Sequence, residues 1–248
     1  MRYGAVLFDF GNTLVEYSLQ GRWREFLERR LAEVCPGLCA GVLPGRITAE
    51  AFAAQAAEVI GGERARALMH SGISWPFRDR LREALSSLGL SCEEDRLAAA
   101  TEQFYSPIRE CTRIYPDTRQ TLERLGADGL RLAIISNTPW DAPGYLTHGD
   151  LRMWGIDSCF QVTVFSGDVP WRKPHPQFML AAARALGVEP RDCVVVGDVL
   201  RADIAGANAA GMPCIWIDRP PTNEPWPEAH PDRIVHTVSD VVSALAAL

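Results

Sequence analysis

Four short runs of continuously apolar residues constrain the fold of this 248-residue chain more than any other feature. The runs are AVLFDF (5–10), LRLAIISN (130–137), CVVVGD (193–198) and PCIWID (213–218). Strands that face solvent on one side alternate apolar and polar residues, whereas strands of a parallel sheet are covered on both faces and are apolar throughout. We therefore predict that these runs form a parallel sheet, with the less apolar run QVTVFS (161–166) nearer its edge.

Segments with helix signals separate these runs. PDTRQTLERLGADG (116–129) ends in glycines, HPQFMLAAARALGV (175–188) has Pro176 near its first turn and Gly187 after its last, and RADIAGANAAGM (201–212) is rich in alanine. Proline at the start and glycine at the end are the usual punctuation of a helix. Strand and helix therefore alternate along the chain, which predicts an α/β fold with a Rossmann-like parallel-sheet core.

The stretch from about 16 to 112 interrupts this alternation. It has no convincing strand, and four of its segments carry apolar residues at helical spacing. These segments are 21–34, 48–61, 76–89 and 92–105. We therefore predict an inserted all-helical domain at 16–112, between the two parts of an α/β core domain formed by 1–15 and 113–248.

Composition excludes several classes of partner. The net charge is −6 and the chain has no block of lysine or arginine, so nothing in it attracts nucleic acid. It has no run of about 18 apolar residues, which argues against a membrane span. The N-terminus lacks the features of a signal peptide. The chain has seven cysteines, an odd number, and their spacing does not match that of a metal site. We expect a cytoplasmic protein with reduced thiols. The sequence leaves open a homodimer that forms through an exposed apolar face of the helical insertion.

Polar residues follow the predicted strands at the points where these end. Asp9 ends the first run, Ser136 and Asn137 end the second, and Asp198 ends the third, with Asp203 five residues later. The carboxyl ends of parallel strands form the ligand-binding edge of an open α/β sheet. We therefore expect these side chains to meet at one rim.

This set of residues suits phosphate chemistry. Asp9, Asp198 and Asp203 offer the hard oxygen ligands that Mg²⁺ prefers. Ser136 can hold phosphoryl oxygens, and Lys173, from the RKPHP segment, can neutralise phosphate and carboxylate charge. Asp9 could then attack phosphorus and form an aspartyl-phosphate, with transition-state charge stabilised by the metal and the lysine.

Four motifs together resemble those of the haloacid dehalogenase-like hydrolase superfamily. They are Asp9-x-x-x-Thr13-Leu14, SN at 136–137, KPHP at 173–176 and GDVLRAD at 197–203. The predicted helical insertion directly after the first motif is similar to the α-helical cap of that family. The resemblance covers nearly the whole chain and implies an α/β core, a cap, Mg²⁺ as cofactor and a small phosphorylated metabolite as substrate.

The resemblance also implies a role for each motif residue. Asp9 and Lys173 would be the catalytic residues, with Asp9 as the nucleophile. The implied phosphate-binding residues are Ser136, Asn137 and Lys173, and the implied metal ligands are Asp9, Asp198, Asp203 and, through its backbone carbonyl, Gly11. Thr13 would hold the turn after the nucleophile.

The sequence departs from the family pattern at Gly11. Typical phosphatases of the family have aspartate there, as general acid for the leaving group and base for the attacking water. Such help is worth about 10²–10⁴-fold, so its absence needs an explanation. Three explanations remain open. In the first, the leaving group is good enough alone, as in a sugar 1-phosphate or acyl phosphate. In the second, a cap residue or the substrate supplies the proton, and in the third, the chain does other chemistry.

Two other functions remain open at this point. The haloacid dehalogenases of the family also lack that aspartate and act on carbon without a metal, but their fourth motif has no glycine-aspartate pair. Here Asp198 and Asp203 would repel Asp9 if no cation lay between them, which favours a metal-dependent phosphatase. A catalytically weakened protein that binds phosphate or a protein partner is the third possibility.

Residues beside the motifs receive structural interpretations. His175 is interpreted as a helix-start residue, and Arg172 as structural or solvated. Trp140 and Trp171 follow or precede motif residues, so one of them is a candidate for the pocket wall.

Overall fold

The computed structural model describes residues 2–19, 22–39, 48–219 and 224–248. Its strands are β1 (Ala5–Phe8), β2 (Val15–Tyr17), β3 (Thr112–Ile114), β4 (Arg131–Ser136), β5 (Val162–Phe165), β6 (Cys193–Gly197), β7 (Cys214–Ile217) and β8 (Arg233–Val235). Its helices are α1 (Trp23–Cys39), α2 (Ala49–Gly61), α3 (Glu63–His70), α4 (Phe77–Ser87), α5 (Glu94–Glu110), α6 (Thr118–Ala127), α7 (Gly144–Met153), α8 (Pro176–Leu186), α9 (Ala205–Ala209) and α10 (Asp240–Ala247).

The predicted parallel sheet is confirmed. Six strands within the described ranges pair in parallel in the order β5-β4-β1-β6-β7-β8. The less apolar run QVTVFS forms β5 at one edge, as expected. The opposite edge is β8, which the sequence analysis missed because it is three residues long and two of them are exposed.

The apolar runs divide between the two faces of the sheet. Val6 and Phe8 of β1 pack into a layer that includes α6 and α10, and Ala5 and Leu7 pack into a layer that includes α8 and α9. Successive side chains of a strand point to opposite faces. Burial on both faces therefore requires every residue of β1 to be apolar, which is the pattern seen in the sequence.

Helices α1, α2, α4 and α5 share a second apolar core, which also includes Ala142. Phe26, Phe52, Phe77 and Phe104 lie fully or almost fully buried at its centre. Helix α2 begins where the sequence predicts, since the Thr48 hydroxyl accepts a hydrogen bond from the Ala51 amide at 3.2 Å. Helices α3 and α7 were not predicted.

A short antiparallel pair joins this helical segment to the sheet domain. Strand β2 pairs with β3, with Val15 opposite Ile114 and Tyr17 opposite Thr112. The sequence analysis missed both strands, because runs of three residues are too short to show a periodic pattern. The segment 16–112 therefore ends in strand residues on both sides, although the described part between them is helical.

The described part of the chain contains no helix with both the length and the apolarity to cross a membrane. Among the described cysteines, the thiols of Cys92, Cys111, Cys159, Cys193 and Cys214 form no disulfide. Burial raises the pKa of Cys193 and of Cys214 to about 11. Because the thiolate is the reactive form of cysteine, these two buried thiols are unreactive at neutral pH.

Candidate active site

The carboxyl ends of β1 and β6 bring the first two carboxylates together. Asp9 directly follows β1, and its amide donates to the carbonyl of Val196 at 2.8 Å, so the nucleophile candidate is still held by the sheet. Asp198 directly follows β6, and the Thr13 hydroxyl donates to its Oδ1 at 3.2 Å. Both carboxylates are more than nine-tenths buried. Two strand ends and one loop hydroxyl thus fix their positions.

A π-helical turn positions the third carboxylate. Residues Leu200–Ile204 form one such turn before α9, and Asp203 accepts a hydrogen bond from the Val199 amide at 2.9 Å. A π-turn holds one residue more than an α-turn. The turn therefore accommodates the five-residue spacing from Asp198 to Asp203.

The glycine that precedes Asp198 makes room for this arrangement. A Cβ atom at Gly197 would lie 2.3 Å from Cγ of Asp203. Any larger residue at this position would push the Asp203 carboxylate away from the strand end. The glycine-aspartate pair of the fourth motif therefore has a steric reason in this chain.

The three carboxylates cluster, and one lysine bridges two of them. Asp9, Asp198 and Asp203 each place a carboxylate oxygen within 4.8 Å of the others. The ammonium group of Lys173 donates to Oδ1 of Asp203 at 2.6 Å and also to Oδ1 of Asp9. Lys173 is 3% exposed and Asp203 is fully buried. The structure thus brings together the four charged residues that the sequence proposed for one rim.

Burial and mutual repulsion perturb these groups. Burial, and then the charges of Asp9 and Asp203, raise the pKa of Asp198 well above its usual range. Burial raises the pKa of Asp203 to about 6, although Lys173 acts in the opposite direction. Burial alone would lower the pKa of Lys173, but the charges of Asp203 and Asp9 outweigh it and raise that pKa. Lys173 is therefore charged at neutral pH.

The donor set fits a hard divalent cation. Three buried carboxylates against one ammonium leave an excess of two negative charges when all are ionised, and their oxygens lie close enough to converge on one ion. Mg²⁺ takes oxygen ligands and keeps positions for water and substrate phosphate. Asp9, Asp198 and Asp203 are the residues that could hold such an ion.

Two further predicted phosphate-binding residues lie at the end of β4. Ser136 is the last residue of β4 and is 3% exposed, whereas Asn137 and Thr138 line the cavity above Asp9. The amide of Asn137 is engaged with the backbone of Lys173: its Oδ1 accepts from the Lys173 amide at 2.9 Å and its Nδ2 donates to the Lys173 carbonyl at 3.0 Å. The side chain of Asn137 therefore holds the backbone of the lysine loop, and its role in phosphate binding stays a prediction.

A buried ionic network next to this loop was missed by the sequence analysis. Asp141 is fully buried and accepts from Arg80 of α4 and from Arg172, each at 2.8 Å, and from the Trp75 amide at 3.0 Å. Arg80 is fully buried as well. The network connects the helical segment to the residue just before Lys173. Nothing in the sequence spacing links these three distant positions, so no local pattern could have predicted it.

The cavity above Asp9 has a volume of about 360 Å³. Its wall combines the motif residues with four large side chains, namely Tyr17, Met69, Trp23 and Trp140. Trp140 was a candidate for this wall, but Tyr17 and Met69 were not. Trp140 and Asp141 both have left-handed backbone conformations, with φ of 47° and 55°. Such strain in residues other than glycine is typical of functional sites, where surrounding contacts hold it in place.

The family model and the relatives that match this chain point to the same family. A model of the haloacid dehalogenase-like hydrolase family matches residues 3–211. The phosphoserine phosphatase of Thermus thermophilus is 33% identical over 201 residues, which cover 80% of this chain and 78% of that relative. The phosphoglycolate phosphatase of Shigella boydii is 30% identical over 233 residues, covering 88% and 90%.

Solved structures of similar shape include both activities of that family. A phosphatase from Thermococcus onnurineus has a TM-score of 0.64 at 26% identity, covering 98% of this chain and 97% of its own. A 2-haloacid dehalogenase from Pseudomonas syringae has a TM-score of 0.66 at 25% identity, covering 99% of both chains. Overall shape therefore does not separate phosphatase from dehalogenase, and the residues at the strand ends must do so.

Proposed function

The chain belongs to the haloacid dehalogenase-like hydrolases, and we propose that it is a Mg²⁺-dependent phosphatase of a small phosphorylated metabolite. Membership of this family makes it a hydrolase, and its phosphatase relatives agree with a phosphoric monoester hydrolase. The finer assignment to a metal-dependent phosphatase rests on the strand-end residues.

One observation carries the proposal. Asp198 and Asp203 lie with Asp9 in one buried cluster that holds a single lysine. An enzyme that attacks carbon without a metal has no use for two further carboxylates next to its nucleophile, since they would repel it. A phosphatase needs them, because a cation between carboxylates and phosphate lowers the repulsion of both.

Each charged residue has a defined part in this reaction. Asp9 attacks phosphorus through a carboxylate oxygen, the bond from phosphorus to the leaving oxygen breaks, and water then releases phosphate from the aspartyl-phosphate. Lys173 neutralises charge on Asp9 and on the phosphoryl group, and Asn137 holds the lysine loop in place. Mg²⁺, held by Asp9, Asp198, Asp203 and the carbonyl of Gly11, would supply electrostatic stabilisation of the transferring phosphoryl group.

The size of the cavity supports a small substrate. Its volume of about 360 Å³ lies near the lower end of the range for ligand pockets, about 300–1,000 Å³. The relatives act on phosphoserine and phosphoglycolate, which are both small phosphate monoesters that also carry a carboxylate. We propose a substrate of this size.

We also propose that 16–112 acts as a cap domain on the core formed by 1–15 and 113–248. Its separate apolar cluster and its junction through β2 and β3 support this division. Trp23 and Met69 from this segment line the cavity, and Arg80 forms an ion pair with Asp141 of the core. A cap in this position excludes water from the site and selects the substrate.

Dehalogenation is the second candidate, favoured by the similarity to a 2-haloacid dehalogenase and by glycine at position 11. The experiment that separates the two measures phosphate release from phosphoserine, phosphoglycolate, sugar 1-phosphates, sugar 6-phosphates and acyl phosphates, with and without Mg²⁺. The same preparation is tested for halide release from 2-chloropropionate. We expect phosphate release that depends on Mg²⁺ and no halide. Halide release in the presence of EDTA, without phosphate release, would overturn the proposal.

A further inference from the structure

Glycine at position 11 removes the side chain that usually assists the leaving group, and another side chain occupies the vacated volume. A Cβ atom built on Gly11 would lie 2.3 Å from Cε2, 3.0 Å from Cδ2 and 3.4 Å from Cζ of Tyr17. These distances are too short for an aspartate to coexist with the ring in its present position. Gly11 and Tyr17 are therefore a matched pair, in which the small residue allows the approach of the large one.

The geometry points to Tyr17 as the residue that takes over part of the missing function: we propose that its phenol hydroxyl donates a hydrogen bond to the leaving-group oxygen. This inference rests on the proposed phosphatase function. Cζ, which carries the hydroxyl, lies 3.4 Å from the point where an aspartate at position 11 would begin. The phenol oxygen is one bond further, so the ring brings a donor into the region from which the usual acid would act.

Several contacts hold Tyr17 in this position. Its backbone is paired with Thr112 in the β2–β3 pair, and its amide donates to Oδ1 of Asn12 at 3.3 Å. Its ring packs edge-on against Trp23, with ring centroids 5.5 Å apart. Asn12 itself has a left-handed backbone conformation, with φ of 59°. The turn after Asp9 therefore fixes both halves of the pair, the glycine directly and the tyrosine through Asn12.

The ring also borders the space in which a substrate must lie. Tyr17 lines the cavity that contains Asp9 and Lys173, and it also lines a neighbouring cavity of about 230 Å³ that includes Arg109 and Asp150. It packs against the apolar clusters of both the sheet domain and the helical segment. A leaving group that extends from Asp9 towards the helical segment would therefore pass the phenol.

A hydrogen-bond donor at this point stabilises charge that develops on the leaving oxygen as its bond to phosphorus breaks. Removing one such preorganised donor typically costs about 10²–10³-fold in rate. The cost depends on the leaving group, because a poor leaving group develops more charge that needs stabilisation. A residue that only fills space has no such dependence.

The test uses Tyr17→Phe, which keeps the ring and removes the hydroxyl, with Tyr3→Phe as the matched control. Tyr3 packs at the far end of the core, beside Leu248. The values of kcat/KM are measured with Mg²⁺ for aryl phosphates of graded leaving-group pKa, from 4-nitrophenyl to phenyl phosphate, and for an alkyl phosphate. This parameter reports the steps up to departure of the leaving group, so hydrolysis of the aspartyl-phosphate does not obscure it.

We expect Tyr17→Phe to lose about 10²-fold on the alkyl phosphate and little on 4-nitrophenyl phosphate, which makes the leaving-group dependence steeper. The Tyr3→Phe control should retain the wild-type slope. An equal loss on all substrates, or no loss on any, would overturn the role of the hydroxyl while leaving the phosphatase assignment intact. Absence of phosphate release from the wild-type protein would instead overturn the proposed function and this inference with it.

A second pair of variants tests the steric match. Gly11→Asp alone should lose activity, since the new side chain collides with the ring of Tyr17. Combining Gly11→Asp with Tyr17→Ser opens the space and should restore turnover of the alkyl phosphate above that of either single variant. A Gly11→Asp variant with full activity would show that the ring does not occupy this volume.

Discussion

Replacing Asp141 with asparagine tests the buried network that connects the helical segment to the lysine loop. Asparagine keeps the size of the side chain and removes its charge. In the wild-type protein one carboxylate serves two guanidinium groups, those of Arg80 and Arg172, at 2.8 Å each. Asp141 and Arg80 are fully buried. The variant leaves both guanidinium groups without their only carboxylate in this network.

The size of the effect follows from burial. Removing one partner of a buried ion pair costs about 3–5 kcal/mol, because the remaining charge stays in the interior without compensation. For a chain of this length, 1 kcal/mol corresponds to about 2–4 °C in Tm. We therefore expect the Tm of Asp141→Asn to fall by about 6–20 °C.

Thermal unfolding followed by circular dichroism measures this change, with Asp79→Asn as the control. Asp79 forms an ion pair with Arg82 on the surface of α4, where both side chains are almost half exposed. Exposed pairs contribute about 0–1 kcal/mol, so the control should change Tm little. Equal shifts for the two variants would refute the reasoning that the Asp141 network stabilises the protein through buried charge.

The remaining predictions concern the lysine loop and the carboxylate cluster. Asn137→Ala removes both side-chain hydrogen bonds to the backbone of Lys173. The kcat should fall by about 10²-fold because the lysine is misplaced, with little change in Tm. An unchanged kcat would show that Asn137 does not orient Lys173. The pKa of Asp198 is raised and that of Asp203 is about 6. The metal-free folded state therefore keeps protons on these groups at pH values where the unfolded state, whose Asp residues titrate near pH 3.9, has released them. Stability should therefore fall as the pH rises through about 6, and Mg²⁺ should raise the Tm more at about pH 7.5 than at about pH 5. Scanning fluorimetry with and without Mg²⁺ measures both, and an equal Mg²⁺ shift at the two pH values would contradict the assignment.

The sheet was predictable because its signal is local. Strand β6, with the sequence CVVVG, has no polar side chain because it is buried on both faces, and this pattern is visible in a few residues. His175 also begins α8 as expected, with its side chain accepting from the Gln177 amide. The short strands β2, β3 and β8 were missed because three residues cannot show a period.

The candidate site was only partly predictable, for a physical reason. Asp9 and Asp198 could be found because strand ends meet at one edge of a parallel sheet, and Lys173 could be found from the KPHP motif. The position of Tyr17 against Gly11 depends on the path of the loop after Asp9. The ion pair of Asp141 with Arg80 depends on tertiary packing between segments far apart in the sequence. Arg172 was interpreted as structural or solvated, and the structure shows it buried in its own ion pair with Asp141.

The most direct test of the central claim is detection of phosphate on Asp9 itself. The protein is mixed with Mg²⁺ and 4-nitrophenyl phosphate, quenched in acid within the first turnover, digested and analysed by mass spectrometry. We predict a phosphorylated peptide that contains Asp9, with a phosphate group that hydroxylamine removes, and no such peptide and no turnover in Asp9→Asn. Turnover in Asp9→Asn, or phosphate on another residue, would contradict the role of Asp9 as the nucleophile.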